Sequence, residues 1–142
     1  VSAKADGQMS GLIVMGWDYA YLGVEKSGNK FLLKYVTCHD AEQGSPESVS
    51  VVGVLDSSNI FEAGLYPNYE REIYLEVRVD KGGICTFSYS TDGRRFHKVG
   101  SQFTARQGKW IGAKVGLFSV TPHGQERGWM DADWFRIGKN KK

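Results

Sequence analysis

Three aromatic residues occupy alternate positions in the stretch "GWDYAYLG", which begins at Gly16. On a β-strand, Trp17, Tyr19 and Tyr21 would share one face at intervals of roughly 6.5–7 Å. Sugar rings present apolar C–H faces that stack on aromatic rings, and Tyr and Trp also offer an O–H or N–H group for hydrogen bonds. The pattern therefore predicts either a surface on which a sugar stacks or a row of core side chains whose hydroxyls reach the rim. The residues alone leave both interpretations open.

Two further tryptophans lie beside glycines. Trp110 stands between Gly108 and Gly112 in "GKWIGAKVGLFS", just before a predicted strand, and Trp129 follows Gly128 at the end of a loop. We expect a bound sugar to contact the strand aromatics together with a loop aromatic such as Trp129. Trp110 either caps the core or extends from its loop towards a partner, and the residues alone do not decide between these positions.

The sequence contains no recognisable catalytic constellation. It has no G-x-S-x-G, H-E-x-x-H or C-x-x-C motif and no glycine-rich phosphate loop before a helix. The three histidines, His39, His97 and His123, are isolated from one another along the chain. We therefore expect no catalysis by this chain alone, and no cofactor.

Asp131 and Asp133 are the one pair of carboxylates that suggests a metal. They lie two residues apart in "MDADWFRIG", on the same side of a predicted final strand. Calcium prefers such oxygen ligands but takes about six to eight of them. With two visible, we expect these carboxylates to accept backbone N–H bonds rather than to hold a structural calcium ion.

Length and composition are those of an ordinary soluble domain. The chain has 142 residues, with 41% hydrophobic and 24% charged side chains, which suits one domain over residues 1–142 with a basic tail at 139–142. A net charge of +2 is too small to indicate nucleic acid or an anionic membrane as partner, and no apolar run approaches the ~18 residues of a membrane span. Cys38 and Cys85 form one disulfide or two buried thiols, and the strict geometry of a disulfide favours the thiols.

Alternation of apolar and polar residues runs through the whole chain. Segment 71–80, "REIYLEVRVD", predicts a half-buried strand that forms a hairpin with the following segment 84–90. The same pattern predicts strands at 11–16, 18–25, 31–38, 48–55, 111–120 and 130–138, with long loops at 39–48, 58–70 and 121–128. Since no segment has a helical period, we expect an all-β, antiparallel sandwich or barrel with almost no helix.

Four segments, in this order, resemble a known module: "GLIVMGWDYAYLGVEK", "FSYSTDGRRFHKVG", "GKWIGAKVGLFS" and "DADWFRIG". From Gly11 to Gly138 the chain is similar to the concanavalin-A-like C-terminal module of family 43 glycoside hydrolases, the β-xylosidases and α-L-arabinofuranosidases. The resemblance implies a β-sandwich of jelly-roll type, attached to a five-bladed propeller domain that carries the catalytic carboxylates. Related modules are associated with binding xylan and with closing one side of the propeller's pocket.

The resemblance also implies partners. A noncatalytic module of this kind binds plant cell-wall polysaccharide such as xylan or arabinoxylan, or it only supports and closes the catalytic domain. The sequence leaves the compartment open, and a secreted or periplasmic bacterial location is favoured over a cytoplasmic one. Trp110 matches the aromatic side chain that reaches the pocket in this family. The family's module usually opens with extra strands, whereas ten residues precede Gly11 here. Without those strands, we expect an exposed sheet edge or an apolar patch.

Overall fold

Two antiparallel sheets contain all the strands of the part of the chain that the structure describes. The structure is a computed structural model that describes residue 3 and residues 5–56 and 72–139. In chain order, its strands are β1 (Met9–Met15), β2 (Tyr19–Ser27), β3 (Lys30–Cys38), β4 (Ser48–Asp56), β5 (Tyr74–Asp80), β6 (Ile84–Ser90), β7 (His97–Thr104) and β8 (Lys114–Val120). The larger sheet has the order β4-β3-β2-β1-β8 and the smaller one the order β5-β6-β7. The expectation of an all-β antiparallel sandwich is confirmed.

The core lies between the two sheets. Successive side chains of a strand point to opposite faces of the sheet. On β2, Ala20, Leu22 and Val24 therefore all point into the core. They belong to one buried cluster with Phe87 of β6 and with Tyr35 of β3, whose ring lies 5.5 Å from that of Phe87. The sheets thus bury the apolar half of each alternating segment.

One contact between the sheets requires a glycine. Tyr35 donates a hydrogen bond from its hydroxyl to the carbonyl of Ser101 in β7 (2.9 Å). Gly100 lies beneath the Tyr35 ring with a φ of +64°, and a Cβ at this position would overlap that ring. Only glycine combines this backbone angle with this close approach at little cost.

One predicted strand is absent, and one observed strand was not predicted. The predicted strand at 130–138 is wrong, because no residue of this segment lies in a strand and its large side chains Trp134, Phe135 and Ile137 are exposed. Strand β7 was not predicted, because its sequence "HKVGSQFT" is mostly polar and the pairing with β6 is irregular between Cys85 and Phe87. Among the described residues, the helical content is one 3₁₀ turn, Ala41–Gln43, and no helix is long and apolar enough to cross a membrane. The predicted loop at 58–70 lies outside the described residues.

An apolar patch lies at the β8 edge of the larger sheet. Strand β5 packs against β1, so β8 extends past the edge of the smaller sheet. Leu12 and Val14 of β1 are buried, whereas their partners on β8, Leu117 and Val115, are 43% and 41% exposed. The expected exposed apolar edge is therefore present, and it runs along β8.

Candidate functional site

Three connections meet at one end of the larger sheet, and we call this region the three-loop end. It consists of residues 16–18 between β1 and β2, residues 39–47 between β3 and β4, and residues 105–113 between β7 and β8. The backbone N–H of Trp17 donates to the carbonyl of Gln107 (3.3 Å), and that of Ala41 donates to the carbonyl of Trp17 (3.3 Å). A Cβ at Gly16 would overlap the carbonyl oxygen of Arg106, so the first and third loops approach closely only because residue 16 is glycine.

The carboxylate of Asp18 is the centre of the three-loop end. It is buried, and its Oδ1 accepts hydrogen bonds from Nη2 of Arg106 (2.5 Å) and from the backbone N–H of Asp40 (2.8 Å). Its Oδ2 lies 3.1 Å from Nδ1 of His39. Arg106 also forms an ion pair with Asp40. One side chain therefore connects all three loops.

This arrangement fixes the charge of both partners. Burial by itself would raise the pKa of Asp18, but the hydrogen bonds from Arg106, the Asp40 amide and His39 outweigh it and lower that pKa to about 2. The hydrogen bonds to Asp18 and Asp40 in turn raise the pKa of Arg106. Asp18 therefore stays ionised and paired with Arg106 at neutral and mildly acidic pH. Sequence reasoning missed its role, because no spacing rule connects Asp18 with Arg106.

Trp110 projects from the third of these loops. The loop is closed by a hydrogen bond from the N–H of Gly108 to the carbonyl of Ile111 (2.8 Å). The Trp110 side chain is 87% exposed, although burying an indole is strongly favourable. The interpretation in which Trp110 caps the core is therefore wrong. What the exposed ring binds stays a prediction.

The aromatic row on β2 differs in one member from the predicted one. Tyr19 and Tyr21 stack as predicted, with ring centroids 6.1 Å apart and ring planes 17° apart. Trp17 does not continue the row on the strand, because β2 begins only at Tyr19 and Trp17 lies in the bend before it. The ring on the other side of Tyr21 is Phe118 of β8, at 5.0 Å and edge-on. The observed row is Tyr19–Tyr21–Phe118.

This row offers little open surface. Tyr21 is only 9% exposed, and its hydroxyl and that of Tyr19 both point to Oε1 of Glu47, at 3.5 and 2.7 Å. Burial, followed by the charge of Glu47, raises the pKa of Tyr21 to about 12. The rings pack against one another on the face of the larger sheet that points away from the core, so they are not the core side chains of the second interpretation, and sugar binding by this row stays a prediction. Tyr19 remains partly exposed.

Trp129 lies in a separate small cleft. The cleft lies near the beginning of β1 and the end of β8, and its lining is mixed, with Ser10 and Ser119 beside Val120 and Ala3. Ser10 and Ser119 alternate with Gly11 and Phe118 along their strands, so they lie on the opposite face of the sheet from the aromatic row. The structure therefore does not bring Trp129 together with Tyr19 and Tyr21, and simultaneous contact with one sugar is not supported.

The residues considered for metal binding or disulfide formation do not come together. Asp131 and Asp133 are exposed in the C-terminal segment, and the part of the chain that the structure describes has no group of three or more His, Cys, Asp or Glu side chains placed to hold a metal. Cys38 of β3 and Cys85 of β6 are buried free thiols in different sheets. Of the histidines, His39 contacts Asp18 and His97 packs 5.6 Å from the Tyr89 ring.

Comparisons with known proteins agree with this fold. The family model described as "Beta xylosidase C-terminal Concanavalin A-like domain" matches residues 1–138. A "Beta-xylosidase" of Formosa agariphila is 43% identical over 137 residues, which are 95% of this chain and 19% of that protein. The chain thus spans about a fifth of the length of this relative.

Proposed function

The chain belongs to the family of β-xylosidase C-terminal concanavalin A-like domains, and from this membership we propose that it is a noncatalytic module that lies against a glycoside hydrolase catalytic domain. In this proposal, the three-loop end faces the catalytic domain and Trp110 forms one wall of the substrate pocket. The catalytic carboxylates belong to the propeller that the family resemblance implies, and this chain supplies none of them.

The exposure of Trp110 carries the proposal. The indole is 87% exposed and lies on a loop that is closed by a hydrogen bond. Exposed aromatic side chains of this kind typically become buried as anchors when a partner surface binds. Trp also combines a large apolar face, on which the C–H face of a pyranose stacks, with an N–H donor for a sugar hydroxyl. A wall of this kind orients a bound xyloside and excludes water from the pocket. Xylan-type chains and xylo-oligosaccharides are the substrate class, since the relative named above is described as a β-xylosidase.

A substitution in the full-length protein that carries this chain tests the proposal. Trp110→Ala is expected to lower kcat/KM for an aryl β-xyloside and for xylobiose about ten-fold, which corresponds to roughly 1.4 kcal/mol of lost transition-state stabilisation. Its melting temperature should remain near that of the unsubstituted protein, because the side chain buries little of its surface within the module. Trp134→Ala, which removes a half-exposed tryptophan that contacts Tyr74 of β5, is the control. A Trp110→Ala protein with unchanged kcat/KM would refute the proposal.

The cleft at Trp129 favours a second candidate, in which the module itself retains xylan or arabinoxylan. The half-exposed indole of Trp129 offers a stacking face for a sugar, whereas the neighbouring hydroxyls of Ser10 and Ser119 already bond each other (2.8 Å). Binding at such a shallow site is weak, because each stacking contact must offset the cost of ordering the polysaccharide. Affinity electrophoresis in gels that contain xylan, arabinan or cellulose distinguishes a retaining module from a purely structural one.

A further inference from the structure

The exposed ring of Trp110 has little packing of its own to set its direction. With 87% of its surface open, the indole depends on the base of its loop for its position. Each of residues 105–108, at the base of this loop, forms a hydrogen bond. The backbone N–H of Ala105 donates to the carbonyl of Gly83, and the side chain of Arg106 donates to Asp18. The carbonyl of Gln107 accepts from the N–H of Trp17, and the N–H of Gly108 closes the turn by donating to the carbonyl of Ile111.

Among these contacts, the ion pair of Asp18 and Arg106 is the one side-chain interaction, and we propose that this pair positions the Trp110 loop against the substrate pocket. The inference rests on the proposed function, since it gives the orientation of Trp110 a role only if Trp110 contacts substrate. Asp18 and Arg106 are positioning residues and not catalytic residues, because they act through Trp110.

The geometry of the pair makes it directional. Asp18 is buried, and the Asp40 amide and His39 contact its two oxygens in addition to Arg106. These two contacts hold the carboxylate in place independently of the arginine. A single nitrogen of Arg106, Nη2, contacts both Asp18 and Asp40, so the base of the third loop is tied to the first and second loops at one point. A lysine would keep the charge, but its ammonium lies at the end of a flexible stem and lacks the rigid planar head of arginine, so the loop base would be held less firmly.

Arg106→Lys in the full-length protein is therefore the informative variant. We expect it to lower kcat/KM for an aryl β-xyloside by about as much as Trp110→Ala, roughly ten-fold, since a displacement of about 1 Å at a pocket wall is costly. The double variant Arg106→Lys/Trp110→Ala should lose little more than Trp110→Ala alone, because the pair acts through the indole. Arg94→Lys, at an exposed arginine in the turn before β7, is the matched control and should leave kcat/KM unchanged.

Hydrogen exchange gives a second measurement on the same proteins. The peptide that covers residues 106–112 should exchange faster in Arg106→Lys than in the unsubstituted protein, and it should be unaffected in Arg94→Lys. If Arg106→Lys leaves both kcat/KM and this exchange unchanged, or if the losses of the two single variants multiply in the double variant, the positioning role is refuted. If Trp110→Ala itself has no effect on kcat/KM, the proposed function fails and the inference fails with it. A fall in kcat/KM for Trp110→Ala but not for Arg106→Lys overturns the inference alone.

Discussion

The Oδ1 atom of Asp18 lies 2.5 Å from Nη2 of Arg106, although 88 positions separate the two residues along the chain. Asp18 directly precedes β2 in the larger sheet, and Arg106 follows β7 in the smaller sheet. The contact therefore joins the two sheets at the three-loop end, between the apolar core and the solvent-exposed loops. A buried carboxylate at such a place stabilises the fold only while its cation is present.

Asp18→Asn should lower the stability of the module. The amide keeps an oxygen acceptor but carries no charge, so the ion pair with Arg106 is lost and the N–H groups of Arg106 and Asp40 face a weaker, neutral acceptor. We expect the free energy of unfolding to fall by about 3 kcal/mol, at the lower end for a broken buried pair because Arg106 is itself half exposed. Urea denaturation followed by tryptophan fluorescence measures this change. Asp131→Asn, at an exposed carboxylate, is the control and should change the stability by less than about 0.5 kcal/mol.

Acid should destabilise the module through the same carboxylate. Because the pKa of Asp18 is about 2 in the folded chain and about 3.9 when unfolded, its contribution is complete above pH ~5 and is lost as the pH falls towards 2. Asp92 adds to this effect, since the backbone N–H groups of Arg95 and Arg94 and the hydroxyl of Ser90 lower its pKa to about 2 as well. The melting temperature should therefore fall between pH 5 and pH 2.5, and it should fall less in Asp18→Asn. An equal fall in both proteins would contradict the assignment of this acid sensitivity to Asp18.

Strand patterns were predictable from the sequence wherever one face of a strand is buried. The alternation in segment 71–80 predicted β5 because Leu75 and Val77 do pack against the core while Glu76 and Arg78 face solvent. The same reasoning failed at 130–138, where the alternating pattern is present but no strand pairs with most of the segment in the described part of the chain. Alternation indicates which face a strand would bury. Whether a neighbouring strand is present to pair with it depends on the whole fold and cannot be read from the segment itself.

The candidate site was predictable only in its aromatic members. Glycines beside Trp110 and Trp129 indicated loop positions, and both indoles are indeed exposed. The role of Asp18 was not predictable, since its partner Arg106 comes from a distant loop and the sequence contains many other aspartates and arginines. Trp17 was assigned to the strand face by its spacing alone, whereas β2 begins two residues later.

Removal of divalent metal should have little effect on this module. Asp131 and Asp133 are two exposed carboxylates, and a calcium ion requires about six or more oxygen ligands. We expect dialysis against EDTA to change neither the melting temperature nor the retention by xylan. A sharp decrease in melting temperature that added calcium reverses would instead identify these two aspartates as ligands.

Retention by xylan, if the module binds it, should depend on Trp129. An aromatic ring stacked on a sugar contributes roughly 1–2 kcal/mol, so Trp129→Ala should weaken retention in affinity electrophoresis about five- to thirty-fold. Tyr19→Ala tests the aromatic row in the same way, and we expect a smaller effect there because the Tyr19 hydroxyl already bonds Glu47. Trp134→Ala is the matched control, since Trp134 is exposed to a similar degree but contacts Tyr74 and Arg136 rather than the cleft. Unchanged retention in both Trp129→Ala and Tyr19→Ala, with folding intact by circular dichroism, would contradict sugar binding at either place.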